Sequence, residues 1–308
     1  MKAVVAHSFG GPEVLRYEDA PAPEPGPGEV TVRVHAAGVG NWDALVREGK
    51  SGLGQTLPLI PGADLAGTVA AVGASAGGFR PGELVYGATN PRFTGAYAEV
   101  ALCDAGMIAR KPAALNFVEA ASAPVVAVTA WQMLFEFAKV SARESVLVQG
   151  GGGNVGAYAV ALAKISGAKV VTTASASDRD YLEGLGAAVI DFRAERFEDV
   201  VSGVDIVIDT VGGATLSRSF SVVRPGGIVV SSVAEPAEEE AKRANARTAF
   251  FIVSVTTRRL DALTPLFEAG ILKPRVGETL PMEKACEAHA MLADARHPPG
   301  RIVLSTGA

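Results

Sequence analysis

Cysteine and histidine are scarce. The 308 residues hold two cysteines, Cys103 and Cys286, and four histidines, His7, His35, His289 and His297. Two thiols far apart in sequence exclude a disulfide framework and suit a reducing compartment, so a cytoplasmic location is expected. No C-x-x-C, H-x-x-x-H or related cluster occurs. A zinc site needs about four converging N, S or O ligands, so no metal is expected. There is no G-x-S-x-G elbow and no evident Ser-His-Asp order, which argues against a hydrolase. No block of basic residues interrupts a formal net charge of -5, which argues against nucleic acid as the main partner. No apolar run is long enough to span a bilayer, and the start, "MKAVVAHSFGGPEV", has one Lys and a short apolar run, unlike a signal peptide. No internal repeat is visible.

What remains is rich in apolar residues, 48% against 20% charged, enough for a large core, and the length suits two domains. Up to about residue 118 the chain reads as β-rich. "KAVVAHSF", "EVTVRVHAAGV", "LAGTVAAVG" and "AYAEVALC" are short apolar or alternating runs punctuated by Gly and Pro turns. From about 119 the pattern changes to helical spacing, broken by Pro124. Strand and helix then alternate: "SVLVQG", "NVGAYAVALAKISG", "AKVVTTAS", "DRDYLEGLG", "AAVIDF", "VDIVIDTVG", "ATLSRSFSVV", "GGIVVSSV" and a closing strand "FFIVSV". This alternation predicts an α/β fold with a doubly wound parallel sheet of order 3-2-1-4-5-6. The tail predicts two amphipathic helices and a lone strand, "GRIVLST", returning to the first domain.

The stretch "VLVQGGGGNVG" carries the clearest chemistry. Gly151, Gly153 and Gly156 fit G-x-G-x-x-G directly after a strand and at the start of a helix, with Asn154 and Val155 between them. Without Cβ atoms the backbone can approach a pyrophosphate, and the helix start offers free N–H groups. A fold that prefers NAD usually places an acid at the end of the second strand to hold the ribose hydroxyls. This chain has Thr172, Thr173, Ala174 and Ser175 there. Ser175, Ser177 and Arg179 make a phosphate-binding set, so NADP(H) is the expected cofactor. The same residues also read as a helix cap and a surface arginine, with Asp178 and Asp180 beside Arg179 to neutralise it.

With these segments in view, the chain resembles the zinc-free quinone oxidoreductase branch of the medium-chain dehydrogenase/reductase superfamily, the branch that includes zeta-crystallin. The resemblance rests on "GVGNWDALVREG", "LPLIPGADLAGTVAAVG", "FRPGELVYG", "GAYAEVAL", "VLVQGGGGNVGAYAVALAK", "LGAAVIDF", "VDIVIDTVGG" and "GRIVL", and covers nearly the whole chain. It implies a GroES-like catalytic domain built from residues 1–118 and 256–308, with a Rossmann domain inserted at 119–255. It also implies NADPH as cofactor, a quinone or enone substrate, and a homodimer through the edge of the Rossmann sheet. Zinc-dependent relatives carry Cys in the first motif and His-Glu after the "PG" of the second; here Gly40 or Asn41, and Ala63 with Asp64, stand in those places. By the same resemblance Asn41 and Thr129 lie near the nicotinamide. Val211, Ser231, Ser232 and Val233, together with Phe250, Phe251, Ile252 and Val253, line the cofactor. Arg301 stands where the family usually has Lys beside it. Asn41 also reads as an N-cap for the following helix, Asp43 and Asp64 as turn or cap residues, and Thr129 as a packing residue. An enoyl-thioester reductase and a non-catalytic NADP(H)-binding sensor are the competing functions.

Overall fold

The computed structural model describes residues 1–294 and 298–307; His297 lies outside them. The chain forms two compact units, Met1–Val125 with Ser254–Ala308, and Val126–Val253. In chain order the first unit opens with β1 (Lys2–Ala6), β2 (Leu15–Asp19), β3 (Glu29–Val39), α1 (Asn41–Arg47), β4 (Asp64–Val72), β5 (Leu84–Ala88), β6 (Val100–Asp104), β7 (Ile108–Arg110) and α2 (Phe117–Ala121). The helix α3 (Pro124–Trp131) leads into the second unit and runs on as a wider π-helical stretch over Gln132–Ala138. There follow β8 (Ser145–Gln149), α4 (Asn154–Ile165), β9 (Lys169–Ala174), α5 (Arg179–Gly184), β10 (Ala188–Asp191), β11 (Val204–Asp209), α6 (Gly213–Ser219), β12 (Val223–Ser231), α7 (Glu238–Ala244) and β13 (Arg247–Phe250). The chain returns to the first unit through α8 (Thr257–Glu268), β14 (Val276–Pro281), α9 (Ala285–Asp294) and β15 (Arg301–Ser305).

The first unit is built on a largely antiparallel sheet of order β14-β15-β3-β4-β5-β7, with β6 also pairing β3 and a small β1-β2 ribbon beside it. The long strand β3 reads iBBBeBiBBBB in burial, nearly continuous rather than alternating, because strands and helices cover it on both sides. Sequence patterning finds β1, β3, β4 and β6 but passes over β2, β5, β7 and β14. β14, "VGETLP", has no fully buried residue and no apolar alternation, and it makes the tail a pair of strands where one was expected.

The second unit has the parallel order β10-β9-β8-β11-β12-β13, which is the doubly wound 3-2-1-4-5-6 read from the sequence. β8 and β11, the central pair, are apolar on both faces, as a sheet sandwiched between helices requires. A cluster including Leu147, Val207, Val229, Phe197, Leu216 and Phe220 fills one side. The last strand differs from expectation. It is Arg247–Phe250, and the apolar run "FIVSV" after it has no regular structure. The pairing Ile228↔Arg247 to Ser231↔Phe250 sets that register, so β13 ends where its neighbour β12 ends. Among the described residues no helix is long and apolar enough to cross a membrane.

Candidate functional site

The strand registers of the second unit align one row of residues at the C-terminal edge of its sheet. Gln149 pairs with Thr173 and with Asp209, Asp209 pairs with Ser231, and Ser231 pairs with Phe250. Every loop that leaves this row starts from the same level, which is where open parallel sheets hold their ligands. The glycine loop Gly150–Gly153 leaves from β8 and enters α4.

Close packing explains the glycines. A Cβ at Gly151 would lie 2.1 Å from Thr172 Oγ1, and one at Gly156 would lie 2.1 Å from the Gly150 carbonyl oxygen. The loop is pinned from below. Gly150 N–H donates to Thr173 Oγ1 at 3.0 Å, Thr173 donates to Gln149 Oε1 at 2.8 Å, and Gln149 Nε2 donates to Ser219 at 3.1 Å. Ala157 N–H makes the helical bond to Gly153 O. The N–H groups of Asn154, Val155 and Gly156 before it therefore have no helical acceptor and, with the dipole of a twelve-residue helix, suit a diphosphate. The loop thus fits a dinucleotide. Gly156→Ala is expected to cost about 1–3 kcal/mol of stability through overpacking. It should also raise the dinucleotide Kd about ten-fold, the equivalent of one lost hydrogen bond to a charged group, as read by denaturant unfolding and calorimetric titration.

Next to this loop sits Val211, one of the expected cofactor residues, and Val233 packs on the turn that follows it. A Cβ at Gly150 would touch Val211 Cγ2, and one at Gly212 would touch Val233 Cγ1. Both turns are held by Asp209, which sequence reading missed. Its carboxylate, 0% exposed, accepts from Gly212 N–H at 3.0 and 3.1 Å and from Ser231 Oγ at 2.8 Å, and Ser231 Oγ in turn accepts from Val233 N–H at 3.2 Å. Ser232 N–H donates to Asp209 O at 3.3 Å. A buried acid at the end of a parallel strand, followed by small residues, was the signal that could have found it. Beyond β13, Phe251 stacks on Phe137 with centroids 4.5 Å apart. That contact anchors a segment in which Phe250 and Ile252 are exposed and Val253 is half-buried.

The residues that follow β9 are bonded to their neighbours. Ser175 and Ser177 bond each other at 2.7 Å, and Ser175 Oγ donates to Asp178 Oδ2 at 2.9 Å. Arg179 donates to Val189 O at 3.0 Å and to Glu183 at 3.3 Å. Each member of the expected phosphate set, Ser175, Ser177 and Arg179, is thus bonded within the chain. The guanidinium is drawn to a strand carbonyl and a carboxylate one helical turn on, and the hydroxyls serve an acid.

In the second unit Thr129 is 5% exposed, within the buried helix α3. In the first unit Asn41 is an exposed residue at the start of α1. It does not cap that helix. The cap is Gly40, whose N–H donates to Asp43 Oδ2 at 2.8 Å while Asp43 N–H donates to Gly40 O at 3.0 Å. The Asn41 carboxamide is thus left to other uses. Gly40 is tightly constrained. A Cβ there would lie 2.4 Å from the indole of Trp42, so the space a larger side chain would need is filled.

Asp43 belongs to a buried polar chain. Tyr97 Oη donates to Asp43 Oδ2 at 3.1 Å, His289 Nε2 meets Tyr97 Oη at 3.3 Å, and Arg47 Nη1 donates to His289 Nδ1 at 2.8 Å. Because Arg47 occupies Nδ1, the imidazole proton sits on Nε2 and every bond runs toward Asp43. Burial and the neighbouring Arg47 push the His289 imidazole down to about 3. Burial pushes the Asp43 carboxyl up to about 7 and Asp64 up to about 6, against the opposing pull of Arg301. Arg301 is held by two neighbours in the first unit. It is 2% exposed, bonds Asp64 Oδ2 at 2.6 Å, and lies over the Trp42 ring at 4.4 Å. Its guanidinium compensates buried carboxylates in the first unit, which is a reason for its charge that does not involve a cofactor. Asp64 also accepts from Val125 N–H at 2.9 Å. His7 pairs with Glu18, and His35 bonds Thr68 and stacks on Phe117. Among the described residues no group of three His, Cys, Asp or Glu is placed to hold a metal ion.

Comparison with known proteins agrees with this architecture. Residues 26–113 match the family described as alcohol dehydrogenase GroES-like domain, and residues 185–304 match the one described as zinc-binding dehydrogenase. The chain is 32% identical to quinone oxidoreductase of Homo sapiens, over 99% of this chain and 97% of that protein. It is 32% identical to the NADPH-dependent alkenal/one oxidoreductase, chloroplastic, of Arabidopsis thaliana, over 99% and 79%. The structure of the quinone oxidoreductase from Coxiella burnetii superposes with a TM-score of 0.92 at 31% identity, covering 99% of both chains. A GroES-like unit, a doubly wound dinucleotide sheet and this likeness along the whole chain make the protein an oxidoreductase of the quinone oxidoreductase branch of the medium-chain dehydrogenase/reductase superfamily.

Proposed function

We propose that the protein is a zinc-independent reductase that uses a nicotinamide dinucleotide to reduce a quinone, or the C=C bond of an α,β-unsaturated ketone or aldehyde. The observation that carries this is the glycine loop at the level edge of the parallel sheet, with Val211 beside it and Val233 on the neighbouring Gly212 turn. The names of the relatives from Homo sapiens and Arabidopsis thaliana supply the substrate class. Bound there, the reduced dinucleotide supplies the hydride. The substrate then gains negative charge on its carbonyl oxygen, which needs a hydrogen-bond donor. The uncommitted Asn41 carboxamide is the side chain offered for that task; Thr129 is the second expected residue. Water supplies the proton that completes the hydroquinone or the saturated ketone. Zinc independence is supported by the indole packed against Gly40 and by Ala63 and Asp64 in the second motif. The edge strand β13 is the surface proposed for a homodimer, and the cytoplasm the proposed compartment.

Oxidation of the reduced dinucleotide, followed at its nicotinamide absorbance against a panel of quinones, enones and enoyl thioesters, tests the reading. Turnover with a quinone or enone is expected, unchanged after prolonged chelation and with no stoichiometric zinc. Loss of activity to chelator with recovery on adding zinc would overturn zinc independence. Dinucleotide binding without turnover of any acceptor would favour a sensor over a reductase.

A further inference from the structure

We infer that Asp178 selects the unphosphorylated dinucleotide, so that NADH rather than NADPH is the reductant. The inference rests on the proposed dinucleotide site and departs from the NADPH use that the family resemblance implies. Three observations carry it. First, the Asp178 carboxylate packs on the glycine loop: a Cβ placed at Gly152 would lie 2.5 Å from Asp178 Oδ2. Asp178 is 9% exposed and is set by the 3-10 turn Ala176–Asp178 that follows β9. The acid missing from the end of the second strand is thus present four residues after β9, folded back beside Gly152, the third glycine of the loop.

Second, the hydroxyls that would serve a phosphate are already used. Ser175 donates to this same carboxylate and Ser177 bonds Ser175. Third, Arg179 is directed to Val189 O and Glu183. Two other basic groups of this half of the sheet are placed elsewhere. Lys169 begins β9 at the opposite edge, paired with Ser145, and Lys164 lies by Gly186 at the end of α4. Arg193 stacks on the Phe192 ring at 5.4 Å, past the end of β10.

A carboxylate accepts hydrogen bonds from ribose hydroxyls and repels a dianionic 2′-phosphate, whose stabilisation would need charge-assisted donors that are not assembled here. NADPH binding would oblige Asp178 to withdraw or to share a pocket with two further negative charges.

Calorimetric titration of the full chain with NADH and with NADPH, without substrate, tests this apart from catalysis. NADH is expected to bind at least about ten-fold more tightly. Asp178→Asn keeps an oxygen for the Ser175 hydroxyl and should narrow the ratio about ten-fold, chiefly by tightening NADPH. Asp178→Ser, smaller and uncharged, should do the same. Arg179→Ala should leave the ratio within about two-fold, since its guanidinium is occupied elsewhere. Equal or tighter binding of NADPH by the unaltered protein overturns the inference, as does an unchanged ratio in both Asp178 variants. Loss of NADPH binding in Arg193→Ala or Arg179→Ala would place the phosphate on that arginine and overturn it too. Failure of either dinucleotide to bind would instead overturn the proposed function, and the inference with it.

Discussion

Asn41→Ala is expected to lower kcat on the order of 10²-fold, the usual cost of one lost donor to a developing oxyanion, while the dinucleotide Kd and the fold stay as they were. The stability half of this follows from the cap geometry. Gly40 and Asp43 exchange the bonds that close the first turn of α1, so an alanine at the exposed first position removes no cap and should shift stability by less than about 0.5 kcal/mol. Steady-state kinetics with a quinone, set beside thermal melting, separate the cases. A variant that melts with the unaltered protein and turns over normally would remove Asn41 from the chemistry and leave the charge to another donor.

Arg301→Met should cost about 3–5 kcal/mol of stability, the penalty for leaving a buried charge without its partner. The side chain is 2% exposed, Asp64 and Asp43 are 0% exposed, and Arg301 lowers the pKa of both. The loss has a pH signature. Both carboxyls titrate above their ordinary value in the native state, so their contribution is full below about pH 4 and is lost as the pH rises through about 6 and 7. Without the guanidinium this penalty deepens. The stability gap between variant and unaltered protein should therefore widen from pH 5 to pH 8. A gap that stays constant over that range would mean the arginine matters for its packing on Trp42 rather than for its charge. His289 runs the other way: its contribution is present above the ordinary imidazole value of 6.5 and fades as the pH falls toward 3. Denaturant unfolding at several pH values reads both.

The second unit was legible because its signals are local. Each strand is a short apolar run, most are followed by a helix within a few residues, and the glycine spacing marks the turn from β8 into α4 directly. The first unit was less so. Its missed strands, such as Leu15–Asp19 and Val276–Pro281, are half exposed, and they are strands because a neighbour pairs with them. Site residues divide the same way. Gly151, Gly153 and Gly156 announce themselves. Asp178 and Arg179 stand side by side in sequence, and only the turn Ala176–Asp178 decides that the acid faces the glycine loop and the base faces Val189. Arg301 and Asp64 are 237 positions apart and Arg47 and His289 are 242. No spacing rule reaches across an inserted sheet to join them.

The position of β15 also governs the order in which the molecule is built. This strand lies between β14 and β3 in the larger sheet, yet it comprises Arg301–Ser305 and is synthesised long after β3, with the whole second unit in between. The six strands of Val126–Val253 are contiguous and can pair as soon as they emerge. The earlier half must wait: the Ala36–Val39 stretch of β3 keeps its backbone edge open, and Asp64 lacks its counter-ion, until β15 arrives. Nascent chains arrested before residue 301 should therefore show a protease-resistant middle and a labile start. The first half of this protein can close only after the inserted sheet has been made.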